Sequence, residues 1–561
     1  MYKHLIVILI ATLSFTSSFA QKEKETTPNG WHMMDKEANG YYGVSADKAY
    51  SFLKSKNLKS KTVIVAVIDS GIDTLHEDLK PVLWTNPKEI PGNGIDDDKN
   101  GYVDDVHGWN FLGGKDGSNV KEDSYEAARI FYNLKAKYEG KEREDVDSKD
   151  VAELEMWQRA KTAVMGDGNG DNAIDIVFVK KLLATCQKSD SILRIALTKE
   201  VFTGTELDIY KPANLEEKTA KTTLMGLMRA NNQLDATNKE FIDGLTEYVA
   251  AEDKKQEARS NAPKNYRADI IKDDENNIND RNYGNNDIMA STPMHGTHCS
   301  GIIAGVRNNG KGIDGIADNV RIMMVRAVPD GDEHDKDIAN AIRYAVDNGA
   351  QIISMSFGKD FSPKKQWVDD AFKYAESKNV LLVHAAGNDS KNVDSEYNFP
   401  CPTYADGKGR ANNVITVGAS GDPKNGGLTA YFSNYGKKEV DVFSPGVKIY
   451  STLPGGNTYG NLDGTSMACP VVAGIAALIL EYYPNLTPRQ LKYAIENSAQ
   501  KPDYKVAKPG SGEMVNLSDI CKTGGIANAY EAIKLAATLK GERKAQHEIL
   551  PKPKLVKSKK G

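Results

Sequence analysis

Residues 63–73 read VIVAVIDSGID, an apolar and β-branched run that ends in a turn at Asp69-Ser70-Gly71. An unbroken apolar run bounded by turn residues reads as a strand buried on both faces, as in a parallel sheet. Similar runs start at Val320 (VRIMMVRA), Gln351 (QIISMSF), Val380 (VLLVHAA) and Asn413 (NVITVGA). Helical spacing lies between them: Ile338, Ala341, Ile342, Ala345 and Val346 share one face before Gly349, and a second helix is predicted over residues 364–378. Strands alternating with helices of that length predict βαβ units, hence an α/β fold with a doubly wound, mostly parallel sheet.

Outward from this sheet the composition changes. In residues 118–262 the apolar positions follow helical spacing (Ala127, Phe131, Leu134 and Tyr138, then Ile174, Val177, Phe178, Leu182 and Cys186), so this segment reads as a large, mostly α-helical insertion. It divides the main domain into a first part, residues 62–117, and a second, residues 263–540, which opens through a polar loop at 273–287. Residues 21–61 form a short N-terminal segment, and the Lys-rich residues 541–561 read as a disordered tail. The first 20 residues have Lys3 and His4 ahead of an apolar run from Leu5 to Leu13, and small residues surround Ala20. That pattern predicts a cleaved secretory leader and an exported protein, secreted or retained in the periplasm or cell envelope. No integral membrane span is expected after its removal; the apolar helix after Ser466 carries Gly, Pro and small polar residues that suit a core helix better.

The chain has 561 residues, 40% hydrophobic and 27% charged, with a formal net charge of −5, which fits a globular protein and argues against a nucleic-acid partner. Its five cysteines show no C-x-x-C spacing, so neither a zinc site nor a disulfide framework is readable.

Three strings carry chemistry. VIDSGID puts Asp69 at the carboxyl end of a buried strand, where catalytic groups of open α/β sheets gather. HGTHCSGIIAG, from His295, has a Gly-flanked start and helix-compatible residues beyond it. GTSMACPVVAGIAALIL places Ser466 at the start of an apolar helix, with Pro470 in its first turn. A serine there faces free backbone N–H groups, which suits a nucleophile whose reaction develops an oxyanion. Read singly, each residue has a plainer role as turn former, structural histidine or helix cap. Their joint occurrence, in the order Asp, His, Ser, is what carries the catalytic reading.

These strings resemble the subtilase superfamily of serine peptidases. The resemblance implies a catalytic triad of Asp69, His295 and Ser466, with Asn388 of HAAGN as the oxyanion-hole side chain. It also implies that Ser356, Phe357 and Gly358 of SMSFG form the edge that pairs with substrate backbone. The partners expected are protein or peptide substrates, and no cofactor is required for catalysis. The resemblance covers residues 63–113 and 294–539 and omits the insertion. Cys299 and Cys469, beside the catalytic strings, are read as buried small residues in preference to a redox-sensitive pair, and His298 as structural. Two rivals fare worse. A non-catalytic relative would be expected to lack one of the four residues, and a lipase needs a G-x-S-x-G elbow where this chain has G-T-S-M-A.

One further stretch, NGIDDDKNGYVDD, offers Asp96, Asp98, Asn100, the Tyr102 carbonyl and Asp104 at the spacing of a calcium loop. It departs from the EF-hand pattern, having His107 at the twelfth position, so a structural calcium stands beside a solvated acidic turn as the two readings. A weaker echo runs through Asp167, Asn169 and Asp171. Only 48 residues separate Gln21 from Asp69, too few for a folded inhibitory pro-domain, whereas Asp69 and His295 lie 226 positions apart. The insertion is therefore expected either to pack near the cleft and restrict or dock substrates, or to assist folding.

Overall fold

A computed structural model describes residues 27–543, except 167–175 and the single positions 232, 235 and 291. The leader at 1–20, most of the basic tail and the Asp167–Asp171 run lie outside the described residues. In chain order the elements begin with α1 (Lys36–Asn39), α2 (Ala46–Ser55), β1 (Val63–Asp69) and β2 (Gly108–Asn110). The inserted stretch follows with α3 (Glu126–Tyr138), α4 (Val151–Met165), α5 (Ile176–Leu197), α6 (Gly204–Ile209), α7 (Leu215–Ala230) and α8 (Asn238–Ser260). Then come α9 (Met294–Ala304), β3 (Val320–Arg326), α10 (Asp335–Asp347), β4 (Ile352–Met355), α11 (Lys365–Ser377) and β5 (Leu381–Ala385). The chain continues through β6 (Val414–Asp422), β7 (Asn425–Thr429), β8 (Val442–Pro445), β9 (Ile449–Leu453) and β10 (Thr458–Leu462). It closes with α12 (Thr465–Tyr482), α13 (Pro488–Asn497) and α14 (Ala529–Ala536).

The main sheet runs β2-β3-β1-β4-β5-β6-β7, with β8 also on β6, and every pairing but β6–β7 is parallel. This is the doubly wound α/β sheet that the apolar runs predict. In β1 alternate side chains enter opposite layers, Val65 and Val67 one core and Ala66 and Ile68 the other. The first layer holds α2, α9, α12 and α14, and the second α10 and α11. Because β1 is fully covered, it must read as a continuous apolar run.

The inserted helices pack around cores of their own. Val179, Cys186, Leu193, Leu224 and Met228 centre one, on α5–α8, whereas α3 and α4 bury Phe131, Tyr138 and Trp157 around Phe361 of the main domain. At the neck of this excursion the backbones of Asn110 and Asn285 exchange two hydrogen bonds, at 2.9 and 3.0 Å. The Asn110 amide adds bonds to Asn119 (2.7 Å) and Asn285 (2.9 Å).

The N-terminal segment is woven into the first core layer. Trp31 is fully buried and its indole N–H donates to the Val447 carbonyl at 3.0 Å, while Leu53 of α2 joins Ala532 and Ile533 of α14. Replacing a buried aromatic by alanine removes its transfer energy and leaves a cavity. Trp31→Ala is therefore expected to lower stability by about 3–5 kcal/mol, read from the denaturant midpoint; a loss below about 1 kcal/mol would show that the segment merely lies on the surface.

Candidate active site

The sheet topology brings the distant strings together. Asp69 is the last residue of β1, 2% exposed, with one carboxylate oxygen accepting the Ser70 amide at 2.7 Å. Both of its oxygens reach Nδ1 of His295, at 2.8 and 2.9 Å. His295 sits in the first turn of α9, and Gly296 lets that turn approach β1: a Cβ there would lie 2.2 Å from the Gly71 carbonyl oxygen. Burial disfavours a charged imidazole, but the Asp69 carboxylate outweighs it, and His295 is raised well above its ordinary value. Its side chain keeps 33% of its surface exposed, enough to meet a ligand arriving from solvent.

Ser466 stands in the first turn of α12, where backbone amides have no intrahelical partner. Its hydroxyl donates to the Ser356 carbonyl at 3.2 Å, and the Ser356 hydroxyl returns a bond to the Ser466 carbonyl at 2.9 Å. The Cys299 thiol also donates to that carbonyl (3.4 Å) and lies 4.0 Å from His295 Nδ1, so one side chain touches both histidine and serine. No hydrogen bond joins His295 to Ser466 here; such contacts often tighten only around a bound substrate.

Asn388 follows β5. Its amide oxygen accepts from both the backbone and the hydroxyl of Thr465, each at 2.9 Å, and Thr465 Oγ1 in turn accepts the Gly387 amide at 3.1 Å. With its oxygen occupied by Thr465, the amide offers Nδ2 as its donor. A Cβ placed on Gly464 would lie 3.4 Å from the Ser466 amide nitrogen and 3.7 Å from Asn388 Nδ2, so those two donors flank one small space. Two preorganised N–H donors beside a hydroxyl can stabilise an oxyanion formed there.

Ser356, Phe357 and Gly358 run on from the end of β4 beside this group. The Phe357 carbonyl is taken by His384, whose ring nitrogen donates at 2.9 Å and which burial holds neutral at about 4. Phe357 is buried in the second core layer, edge-on to His384. His298 is buried too, lowered to about 3 by desolvation and bonded to the Gly460 carbonyl at 3.1 Å. All five cysteines are free, and burial pushes the Cys469 thiol up to about 12, far from a reactive thiolate.

In the acidic loop the carboxylates of Glu89, Asp96 and Asp98 cluster within 4.8 Å of one another. Asp104, which the spacing assigns to the same set, touches it through its backbone, whose amide donates to Glu89 Oε2 at 3.2 Å, and not through its carboxylate. Its carboxylate accepts the amides of Gly92 (2.8 Å), Asn93 (3.3 Å) and Gly94 (2.8 Å). Asn100 Oδ1 accepts the Tyr102 amide at 2.8 Å, and the Tyr102 ring is packed between Trp109 and Tyr344. Three oxygen-bearing groups on one short segment fit a hard cation of the calcium type. Sequence reasoning missed Glu89 because it precedes the loop at no diagnostic spacing. It also missed Thr465, although that residue sits inside the GTSMACP string.

The chain matches the Subtilase family over residues 60–515. Among curated proteins it is similar to thermophilic serine proteinase of Bacillus sp. strain AK1, 42% identical over 37% of this chain and 47% of that protein. It is similar to thermitase of Thermoactinomyces vulgaris, 39% identical over 38% of this chain and 70% of that protein. A third relative is an extracellular protease of Xanthomonas campestris pv. campestris, 34% identical over 44% of this chain and 41% of that protein. The chain thus spans under half the length of two of these relatives.

The histidine's environment has a direct spectroscopic consequence. In NMR titrations the His295 imidazole is expected to lose its proton well above the ordinary value of about 6.5. Asp69→Asn, by removing the adjacent anion, is expected to bring the titration down; an unchanged midpoint would show that the carboxylate does not set it.

Proposed function

The chain belongs to the subtilase family, and from that premise we propose that it is an exported serine endopeptidase that cleaves protein or peptide substrates. The observation that carries this reading is the Asp69–His295 pair at 2.8 Å, linked through Cys299 to Ser466, whose amide at the start of α12 shares one small space with Asn388 Nδ2. The leader pattern at the N-terminus supports export.

The chemistry follows from these groups. His295 accepts the Ser466 hydroxyl proton as the oxygen attacks a peptide carbonyl, while Asp69 fixes the ring and stabilises its cation. Asn388 Nδ2 and the Ser466 amide receive the oxyanion. His295 then protonates the departing amine, leaving an acyl-serine. A water, activated by the same histidine, hydrolyses that ester and frees Ser466. No step requires a cofactor. Glu89, Asp96 and Asp98 would hold a calcium ion in a structural role, pinning the loop ahead of β2.

Digestion of a diverse peptide library is the test. Wild-type protein is expected to cleave it, and Ser466→Ala to fall to background; equal rates for the two would sink the peptidase reading. Asn388→Ala is expected to lose ~10²–10³ in turnover, the size measured for this donor in subtilisin itself. Activity should fall as pH drops through the raised His295 value, because a protonated imidazole cannot accept the serine proton.

Calcium is expected to raise the melting temperature of the wild type, and chelation to reverse the gain. Glu89→Gln is expected to abolish that response. Indifference of the wild type to both treatments would remove the ion from the account.

A further inference from the structure

The inserted helices are joined to the substrate-pairing edge by a buried charge cluster. Lys359 follows Gly358 directly, and its backbone exchanges hydrogen bonds with Phe399 at 2.9 and 2.8 Å. Its side chain is 2% exposed, and the ammonium group bonds to Glu126 Oε2 of α3 (2.8 Å), Asp335 Oδ1 of α10 (2.9 Å) and the Glu333 carbonyl (2.6 Å). Arg129, one turn along α3, holds the same Glu126 oxygen at 2.7 Å. The chain leading into α3 also runs parallel to the extension of β3 beyond Asp69: the Asp123 amide donates to Asp330 at 3.0 Å, and the Asp330 amide to Lys121 at 2.9 Å. A second anchor comes from α4, where Arg159 donates to the Asp360 carbonyl (3.1 Å) and lies 3.6 Å over the Tyr397 ring.

Both walls that flank the end of β1 are therefore gripped from the insertion, the 330–333 segment along its backbone and the 358–361 segment through Lys359 and Asp360. We propose that the insertion is a positioning element for substrate, and that Glu126 and Lys359 are the residues through which it sets the Ser356–Gly358 edge. This inference rests on the peptidase reading above. An extended peptide that pairs with the edge depends on the coupling, whereas a small acyl ester that needs only Ser466, His295 and the oxyanion donors does not. A buried ion pair suits such a task, because it fixes one geometry while adding little net stability.

The test compares full-length wild type with Glu126→Gln, Lys359→Met and the double variant, on an extended peptide and on p-nitrophenyl acetate. For Glu126→Gln the peptide kcat/KM is expected to fall about tenfold, mainly through KM, with ester hydrolysis within about twofold of wild type. Lys359→Met leaves Glu126 and Asp335 to share Arg129 as the remaining cation of the cluster, and Glu126→Gln removes one of the two uncompensated anions, so the double variant is expected to recover melting temperature over Lys359→Met while keeping the peptide defect. Lys359→Arg, which keeps the charge, is expected to restore peptide KM. Parallel losses on peptide and ester, or an unchanged peptide KM in folded variants, would overturn the inference. A wild type that hydrolyses neither substrate faster than Ser466→Ala would instead overturn the peptidase reading itself.

Discussion

Helix α12 has almost no surface that faces water. From Met467 to Leu480 nearly every side chain is buried, and the helix packs on β1, β4, β5 and β6. An all-round apolar helix needs apolar surroundings on every side, and here the sheet and its covering helices supply them by closing over it. That requirement also places its first turn. The N-terminus emerges at the carboxyl edge of the parallel strands, the edge where Asp69 and Asn388 end their own segments. Hydrophobic burial of the helix thereby positions a serine whose own bonds are polar.

Polar bonds refine what burial positions. Ser356 and Ser466 exchange hydrogen bonds, Cys299 braces the Ser466 carbonyl, and Thr465 fixes which end of the Asn388 amide faces the serine. These groups come from helices α9 and α12 and from the ends of β4 and β5, so the geometry of the site is a property of the packed sheet and not of one loop. A site built on rigid elements loses little freedom when it engages a ligand.

The parallel sheet was legible in the sequence because strands buried on both faces must be uninterrupted and apolar, and five such runs appear. Asp69, His295 and Ser466 could be singled out because each lies in a long string whose neighbours are constrained too: Gly296 must be small to meet Gly71, and Thr465 must bond Asn388. What stayed hidden depends on partners remote along the chain. Lys359 looks like any surface lysine until α3 delivers Glu126 to it, and Glu89 joins Asp96 and Asp98 only through the fold of the loop. Likewise nothing local says that His384 and the second core layer cover Phe357. The N-terminal segment gives no periodic sign that Trp31 belongs to the core.

The neck at Asn110 and Asn285 bears on how such a chain reaches its native state. Asp69 and His295 are 226 positions apart, and bringing them together across an unstructured loop would carry the entropy of the whole excursion. That entropy grows only logarithmically, by about 0.6 kcal/mol for each doubling of length. Once α5–α8 have gathered around their own core and the two asparagine backbones have paired, the excursion becomes a closed side-branch. The segments still to be joined are then the short stretches from Asp69 to Asn110 and from Asn285 to His295. Measured along the folded path, Asp69 and His295 are near neighbours.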